Sequence, residues 1–302
     1  MARKLHNYDI YASHAWYAPG VGGMFGLLGW FLVGIVLGSL IQYIAGLFVP
    51  QQIILDYGMI VVYPVQFLPA MLYAARKSQQ NALFEKGYSL DSFHSAPLQG
   101  WAVILLTIAV TVSGMMVFDL PNYWNMKLSM KSTVLAQLYE MLMHMMKQMM
   151  GGPLWSSFLV VAIMAPVFEE WLCRGMVLRG LLTKIKPHWA IIISALFFAL
   201  IHGNPWQALN AFLIGVLMGY VYYKTGSLKM TMLMHFINNA SAVILMNIES
   251  LKEYDFWIDM LGKQDYMVVF FISLAMLIAG IWLLSKIPTQ HPWGNLDTIE
   301  AD

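Results

Sequence analysis

Three charged residues sit where charges are costly. Nearly all other charges fall in segments that read as loops, but Glu169, Glu170 and Arg174 lie inside the apolar run LVVAIMAPVFEEWLCRGMVLRG. A charge near the centre of a membrane helix costs at least ~2.5–3.5 kcal/mol on insertion scales, so such residues pair with one another or face a cavity. On a helix, Glu170 and Arg174 are four apart and share a face in the favourable acid-to-base order. Glu169 is rotated about 100° from Glu170 and has no partner on its own helix. An unpaired carboxylate in a low-dielectric site is a natural general base. The plainer alternative, a helix that ends at the interface with both acids solvated, is weakened because GMVLRGLL continues apolar beyond them. Two further runs carry polar groups. HWAIIISALFFALIHG ends on His202, with Phe198 four residues earlier on the same face, able to wall a pocket beside the imidazole. GSLKMTMLMHFINNA puts His235 and Asn239 four apart on one face, and turns Asn238 away from it towards a packing or hydrogen-bonding role. Taken singly, His202 reads as interfacial, and His235 with Asn239 as interhelical hydrogen-bonding glue.

Taken together, one acid, two histidines and one amide are the parts of a water-activating hydrolase. Glu169 and His202 could orient and deprotonate a water. His235 and Asn239 could donate hydrogen bonds to the oxyanion formed on attack at an amide carbonyl. No serine has a GxSxG setting, and Cys173, the single cysteine, is off the Glu169 face without a local base, so a covalent nucleophile is disfavoured. No HExxH occurs. A metal site of Glu169, His202 and His235 is chemically allowed, zinc being the natural ion. The expectation is nevertheless that no cofactor is required: the ligands come from three separate runs, and the fourth role falls to Asn239, a poor zinc ligand.

The elements that must hold these residues are membrane helices. Of 302 residues, 59% are hydrophobic and 11% charged, with mean hydropathy +0.63. A soluble domain is roughly a quarter charged. This chain cannot cover a globule with charge, and its 24 Met and 11 Trp suit lipid-facing helices and interfacial belts. A net charge of +1 offers no field for nucleic acid. One cysteine excludes an intramolecular disulfide and a CxxC site.

Apolar runs at 21–49, 57–75, 97–118, 154–178, 188–203, 207–223, 228–247 and 266–285 predict about eight transmembrane helices, an all-α polytopic bundle. The first starts too late and is too long to be a cleaved signal peptide, and its Gly34 and Gly38 would admit a neighbouring helix closely. With the N-terminus inside, eleven Lys and Arg fall in inner segments and five in outer ones, which predicts cytoplasmic termini. The Met-rich stretch 134–150 reads as a helix on or in the outer leaflet, and 249–265 as an acidic, aromatic lumenal loop. Three regions follow: 1–150 with the N-terminal helices and the interfacial helix, 151–250 with the polar constellation, and 251–302 with the loop, last helix and cytoplasmic tail.

Three motifs then stand in register. EEWLCRG fits EExxxR, FALIH fits FxxxH and HFINN fits HxxxN. In this order on consecutive membrane helices they resemble the CPBP family, which includes CAAX prenyl proteases of the Ras-converting type and bacterial Abi, or bacteriocin-immunity, proteins. The resemblance covers roughly residues 150–247. It implies an intramembrane endopeptidase: Glu169 with His202 as the water-activating pair, His235 with Asn239 at the oxyanion, and Glu170 with Arg174 holding the motif helix. Members are often labelled metalloproteases, and a metal-free glutamate mechanism has been argued for the CAAX-processing ones. The expected partners are membrane lipid and a protein or peptide substrate, membrane-anchored or not, and the expected location is a bacterial plasma membrane. The depth of the motif residues along their helices places a water-filled cavity in the cytoplasmic half. The competing readings are a non-proteolytic immunity or scaffold protein of the same fold, and a proton-coupled transporter using Glu169 and the histidines as a relay. The transporter would be expected to show inverted repeats, and the sequence shows none.

Overall fold

The computed structural model describes residues 19–77, 100–150, 152–182, 184–252 and 254–287. Arg3, Lys4 and Lys86, which entered the orientation count, lie outside the described residues, as do the start of the third expected span and the cytoplasmic tail. The described residues are helical, with no strand among them. In chain order they form α1 (Val21–Ala45), α2 (Gln51–Lys77), α3 (Trp101–Ser129), α4 (Thr133–Met150), a composite rod α5 (Leu154–Leu182), α6 (Pro187–Ile201), α7 (Pro205–Thr225), α8 (Leu228–Asn247), α9 (Trp257–Leu261) and α10 (Lys263–Lys286).

Each of the eight expected spans lies on a helix. Five helices are long and apolar enough to cross a membrane: α1, α2, α3, α5 and α10. The expected count of eight is not reached by that measure. α6 is apolar but has 15 residues. α7 and α8 are long enough but carry Gln207, Asn210, His235, Asn238 and Asn239, side chains that line an internal cavity. Polar residues that serve a cavity lower a helix's hydropathy without placing it in water. The outer faces of the crossing helices are apolar, with Val36, Leu105, Phe271 and Trp282 exposed.

Backbone approach fixes the first pair of helices. A Cβ built on Gly34 would sit 1.9 Å from the Gln66 carbonyl oxygen of α2, and one on Gly38 would sit 2.9 Å from Val62. The spacing of small residues on α1 therefore has α2 as its partner. Aromatic packing of Phe31 on Phe67, with ring centroids 5.1 Å apart, continues the seam.

The rod α5 changes helical register along its length. Phe158–Met164 and Trp171–Leu178 are π-helical, and they bracket the α-helical turn Ala165–Glu170 that carries both acids. Such insertions in a helix are common at functional sites. Within the first, Ala165 N–H bonds the Val160 carbonyl five residues back. The next donor in that register would be residue 166, to the Val161 carbonyl. Pro166 has no N–H to give, which leaves that carbonyl for another donor.

The chain between α6 and α7 is punctuated by IHGNPW. Gly203 takes a left-handed φ of +62°, which ends α6 directly after His202. Asn204 then accepts from Trp206 N–H at 3.0 Å, and Pro205 opens α7.

Short connections make neighbouring helices antiparallel. Lys77, Lys184, Lys186, Lys224, Lys229 and Lys286 consequently gather at one end of the bundle, where Lys224 Nζ donates to the Ser285 carbonyl at 3.2 Å. The opposite end holds α4, α9 and the segment between α8 and α10. This segment is not the plain loop expected for 249–265. It contains α9 and the start of α10. Asp119 of α3 accepts from the N–H groups of Trp257 at 3.2 Å and Ile258 at 3.4 Å, capping α9 from 138 residues away, a partner no local pattern could indicate.

Candidate active site

A cavity of about 510 Å³ opens between α3, α5, α7 and α8, and Glu169, His202, His235 and Asn239 all line it. Its other walls come from the ends of α3 and α8, the start of α7, α4 and residues 251–260. It therefore opens at the end opposite the clustered lysines. The cavity expected in the cytoplasmic half rests on placing the end with Lys77, Lys224 and Lys286 inside, and the cavity lies at the other end of the bundle. Helix α6 has only 15 residues and ends at His202, which brings that ring to the level of Glu169 near the other mouth.

The reacting groups meet around one oxygen. Glu169 Oε1 accepts from the Tyr63 hydroxyl of α2. Glu169 Oε2 has no hydrogen-bond partner. It faces His202 Nε2 at 3.8 Å and His235 Nε2 at 3.9 Å. Each imidazole is oriented through its other nitrogen. His202 Nδ1 lies 2.7 Å from the Phe198 carbonyl, which can only accept, so Nδ1 carries the proton and neutral His202 presents a bare Nε2. His235 Nδ1 lies 3.0 Å from Glu170 Oε1. That oxygen also accepts from Arg174 Nη1 at 2.6 Å, in a pair with both side chains fully buried. Glu170 is thus an ionised acceptor, and His235 Nδ1 carries the proton in turn.

Phe198 stands at the hub of these groups. Its ring meets His202 edge-on at 4.7 Å and His235 at 5.4 Å, with the Arg174 guanidinium 4.4 Å above it. Arg174 Nη2 also donates to the Gly215 carbonyl of α7 at 3.1 Å, tying the two helices. Because Glu170 and Arg174 are wholly buried, Glu170→Gln is expected to lower stability by ~3–5 kcal/mol, the cost of leaving one buried charge unpaired. Thermal unfolding in detergent reads this, and an unchanged midpoint with lost activity would exchange the roles of the two acids.

Asn239 Nδ2 donates to the Val161 carbonyl at 2.9 Å, the acceptor that Pro166 leaves free, and its second N–H remains. Asn238 was expected to turn off this face. It lines the cavity as well, and its Nδ2 donates to Asn239 Oδ1 at 3.1 Å. A 100° step around a helix does not remove a residue from a wide cavity.

Two residues were not among the candidates. Tyr63, 106 positions before Glu169, holds the carboxylate oxygen that the histidines do not face. Its only signal in the sequence is a tyrosine within an apolar run that also holds Tyr57 and Tyr73. Tyr139 of α4 donates to Asp255 Oδ2 at 3.2 Å and packs edge-on against Trp206 at 5.3 Å, closing part of the mouth. Burial, reinforced by Asp255, raises the Tyr139 phenol well above its ordinary value, so it stays a donor.

The metal reading meets a geometric test. Among the described residues, no three His, Cys, Asp or Glu side chains are arranged to hold a metal ion. The 3.8 and 3.9 Å gaps exceed the separation of about 3.3 Å between ligands of a tetrahedral zinc bound at ~2.0–2.1 Å.

Residues 151–241 match the family model for Rce1-like proteins, the type II CAAX prenyl endopeptidases. This segment is similar to the CAAX proteases. It contains Glu169, Glu170, Arg174, Phe198, His202, His235 and Asn239, and the family whose model it matches is one of peptidases. With five apolar helices long enough to span, it sits in an integral membrane protein. No curated protein and no solved structure matched the chain. Tyr63 lies outside the matched segment yet bonds Glu169 within it, so a flanking helix completes the site.

Proposed function

We propose that the protein is an intramembrane endopeptidase that hydrolyses peptide bonds with a water activated by Glu169 and His202. The observation that carries this reading is the convergence of the unpartnered Glu169 Oε2 with two histidine Nε2 atoms from separate helices, in the wall of an open cavity. A water between Glu169 Oε2 and His202 Nε2 gives up a proton as its oxygen attacks the carbonyl carbon. The oxyanion accepts from the free Asn239 Nδ2–H and from His235 Nε2–H. His235 donates there only as imidazolium, and the Glu170 carboxylate on Nδ1 is the counter-ion that form needs. The proton held by the Glu169–His202 pair then passes to the departing amine as the C–N bond breaks. Tyr63 holds Glu169 Oε1 and so aims Oε2 at the water.

The non-proteolytic alternative, an immunity or scaffold protein, has no use for an unsatisfied carboxylate between two oriented imidazoles. The test is incubation of the purified chain, in lipid bicelles, with membrane-anchored peptides, reading new termini by mass spectrometry. Cleavage that persists in excess chelator is expected. Activity lost on chelation and restored by zinc would replace the metal-free route, and no cleavage of any peptide would favour the scaffold.

A further inference from the structure

The roof of the reaction cavity is made of two pieces held in different ways. Residues 251–260 are fixed to α3. Asp119 accepts from the Trp257 and Ile258 N–H groups, and buried Phe256 meets the Tyr123 ring edge-on at 5.5 Å. Just beyond, the Tyr266 hydroxyl of α10 donates to the Met116 carbonyl at 2.9 Å. The other piece is α4, which runs from the turn at 130–132 after α3 to Gly152 and Pro153 before α5. It is not among the helices apolar enough to cross. Val134 and Met141 are exposed, as are Gln137 and Glu140, while Tyr139 and Met143, four apart on one face, line the cavity.

The far end of α4 is seated on α2. A Cβ on Gly152 would lie 2.9 Å from Asp56 Cα, and the Ser156 hydroxyl donates to the Asp56 carbonyl. Helix α4 is therefore a strap, tied at both ends and lying across the mouth. From its middle, Tyr139 reaches the fixed side, with its hydroxyl on Asp255 Oδ2 at 3.2 Å and its ring edge-on to Trp206 at 5.3 Å. The hydrogen bond is exposed, so water can replace either partner at little net cost. A single edge-on ring pair adds only a modest attraction. Elements held by few buried contacts open at lower free energy than the structure around them. Below the reacting centre, α5 and α7 are joined by the Arg174–Gly215 bond, with Phe198 of α6 packed on the guanidinium, so a substrate reaches Glu169 from the roof side.

We propose that α4 is a gate on the reaction cavity, latched by Tyr139 against Asp255 and Trp206, and that it swings off residues 251–260 to admit a substrate strand. This rests on the hydrolase reading and adds to it the control of access. Helix α4 precedes the matched residues 151–241, so the gate belongs to the helices that flank that segment.

The test has one readout that needs no catalysis and one that does. In the full chain in bicelles, Asn210→Cys places a thiol in the cavity wall, while Cys173 is wholly buried and the parent chain gives its background. The probe is fluorescein maleimide, whose bulk requires an open mouth. Tyr139→Phe and Asp255→Ala break the same bond from opposite sides. Each is expected to raise the labelling rate ~5-fold, the population shift that one lost hydrogen bond gives, and both together no more than either alone. Unchanged rates in both, or effects that multiply, make α4 a fixed wall and overturn the gate. Locking is the converse. A reversible bis-methanethiosulfonate bridge between Tyr139→Cys and Asp255→Cys is expected to lower cleavage of a membrane-anchored peptide ~10-fold, with recovery on reduction. Full cleavage in the bridged chain, or an equal loss in either single-cysteine chain given the same reagent, overturns the gate. If no chain cleaves peptide, the hydrolase reading falls and the labelling rates still decide the gate.

Discussion

Glu169→Gln is expected to reduce peptide hydrolysis by ~10³-fold or more, within the range seen for loss of a general base, in a protein that folds like the parent. The amide keeps the shape of the carboxylate. Its oxygen can still accept from the Tyr63 hydroxyl, as Glu169 Oε1 does. Its NH₂ replaces Oε2 and faces the bare Nε2 of His202, an acceptor that an amide donor suits. The fold therefore loses little, while the site loses the group that takes a proton from water. Peptide cleavage and thermal unfolding, measured on the same preparation, check both halves. A folded Gln variant with full turnover would remove Glu169 as the base. Tyr63→Phe is the graded companion: the carboxylate stays but loses the bond that aims it, so a smaller fall in kcat is expected with KM unchanged.

Replacing Asn239 by Ala should lower kcat by ~10²–10³, the cost of losing one oxyanion donor. Its contribution arises in the transition state, so KM should change little where KM reports binding. Asn238→Ala is the informative neighbour. Asn238 donates to Asn239 Oδ1 at 3.1 Å and so orients the amide without supplying the proposed oxyanion bond. Its loss should fall between full activity and the Asn239→Ala level, because Asn239 retains its anchor on the Val161 carbonyl. Equal and modest losses at both positions, accompanied by similar small drops in stability, would make the pair interhelical glue and take Asn239 out of the reaction.

The sequence carried what is local. Helical spacing alone paired Glu170 with Arg174, put Phe198 beside His202, and marked Gly34 and Gly38 as a face open to close approach. These relations run within three or four residues, where backbone geometry dictates proximity before any tertiary contact forms. The chemistry of the charged cluster was legible for the same reason, since a carboxylate in an apolar run must have a partner or a cavity. Contacts across the chain were not legible. Tyr63 reaches Glu169 over 106 positions and Asp119 caps α9 over 138, and no periodicity encodes either. The π-helical stretches of α5 also escaped, because a register of five leaves no mark in a hydrophobic pattern; only once they are seen does the missing N–H of Pro166 explain why Asn239 finds the Val161 carbonyl unoccupied.

By itself, the sequence determined that this protein is a bundle of apolar helices with one polar cluster, because composition and helical period act residue by residue. Only the tertiary structure decided which end of the bundle opens, which oxygen of Glu169 is left without a partner, and which nitrogens face it. Those depend on where α6 stops at His202 and how α2, α5 and α8 pack, and packing is a property of all the helices at once.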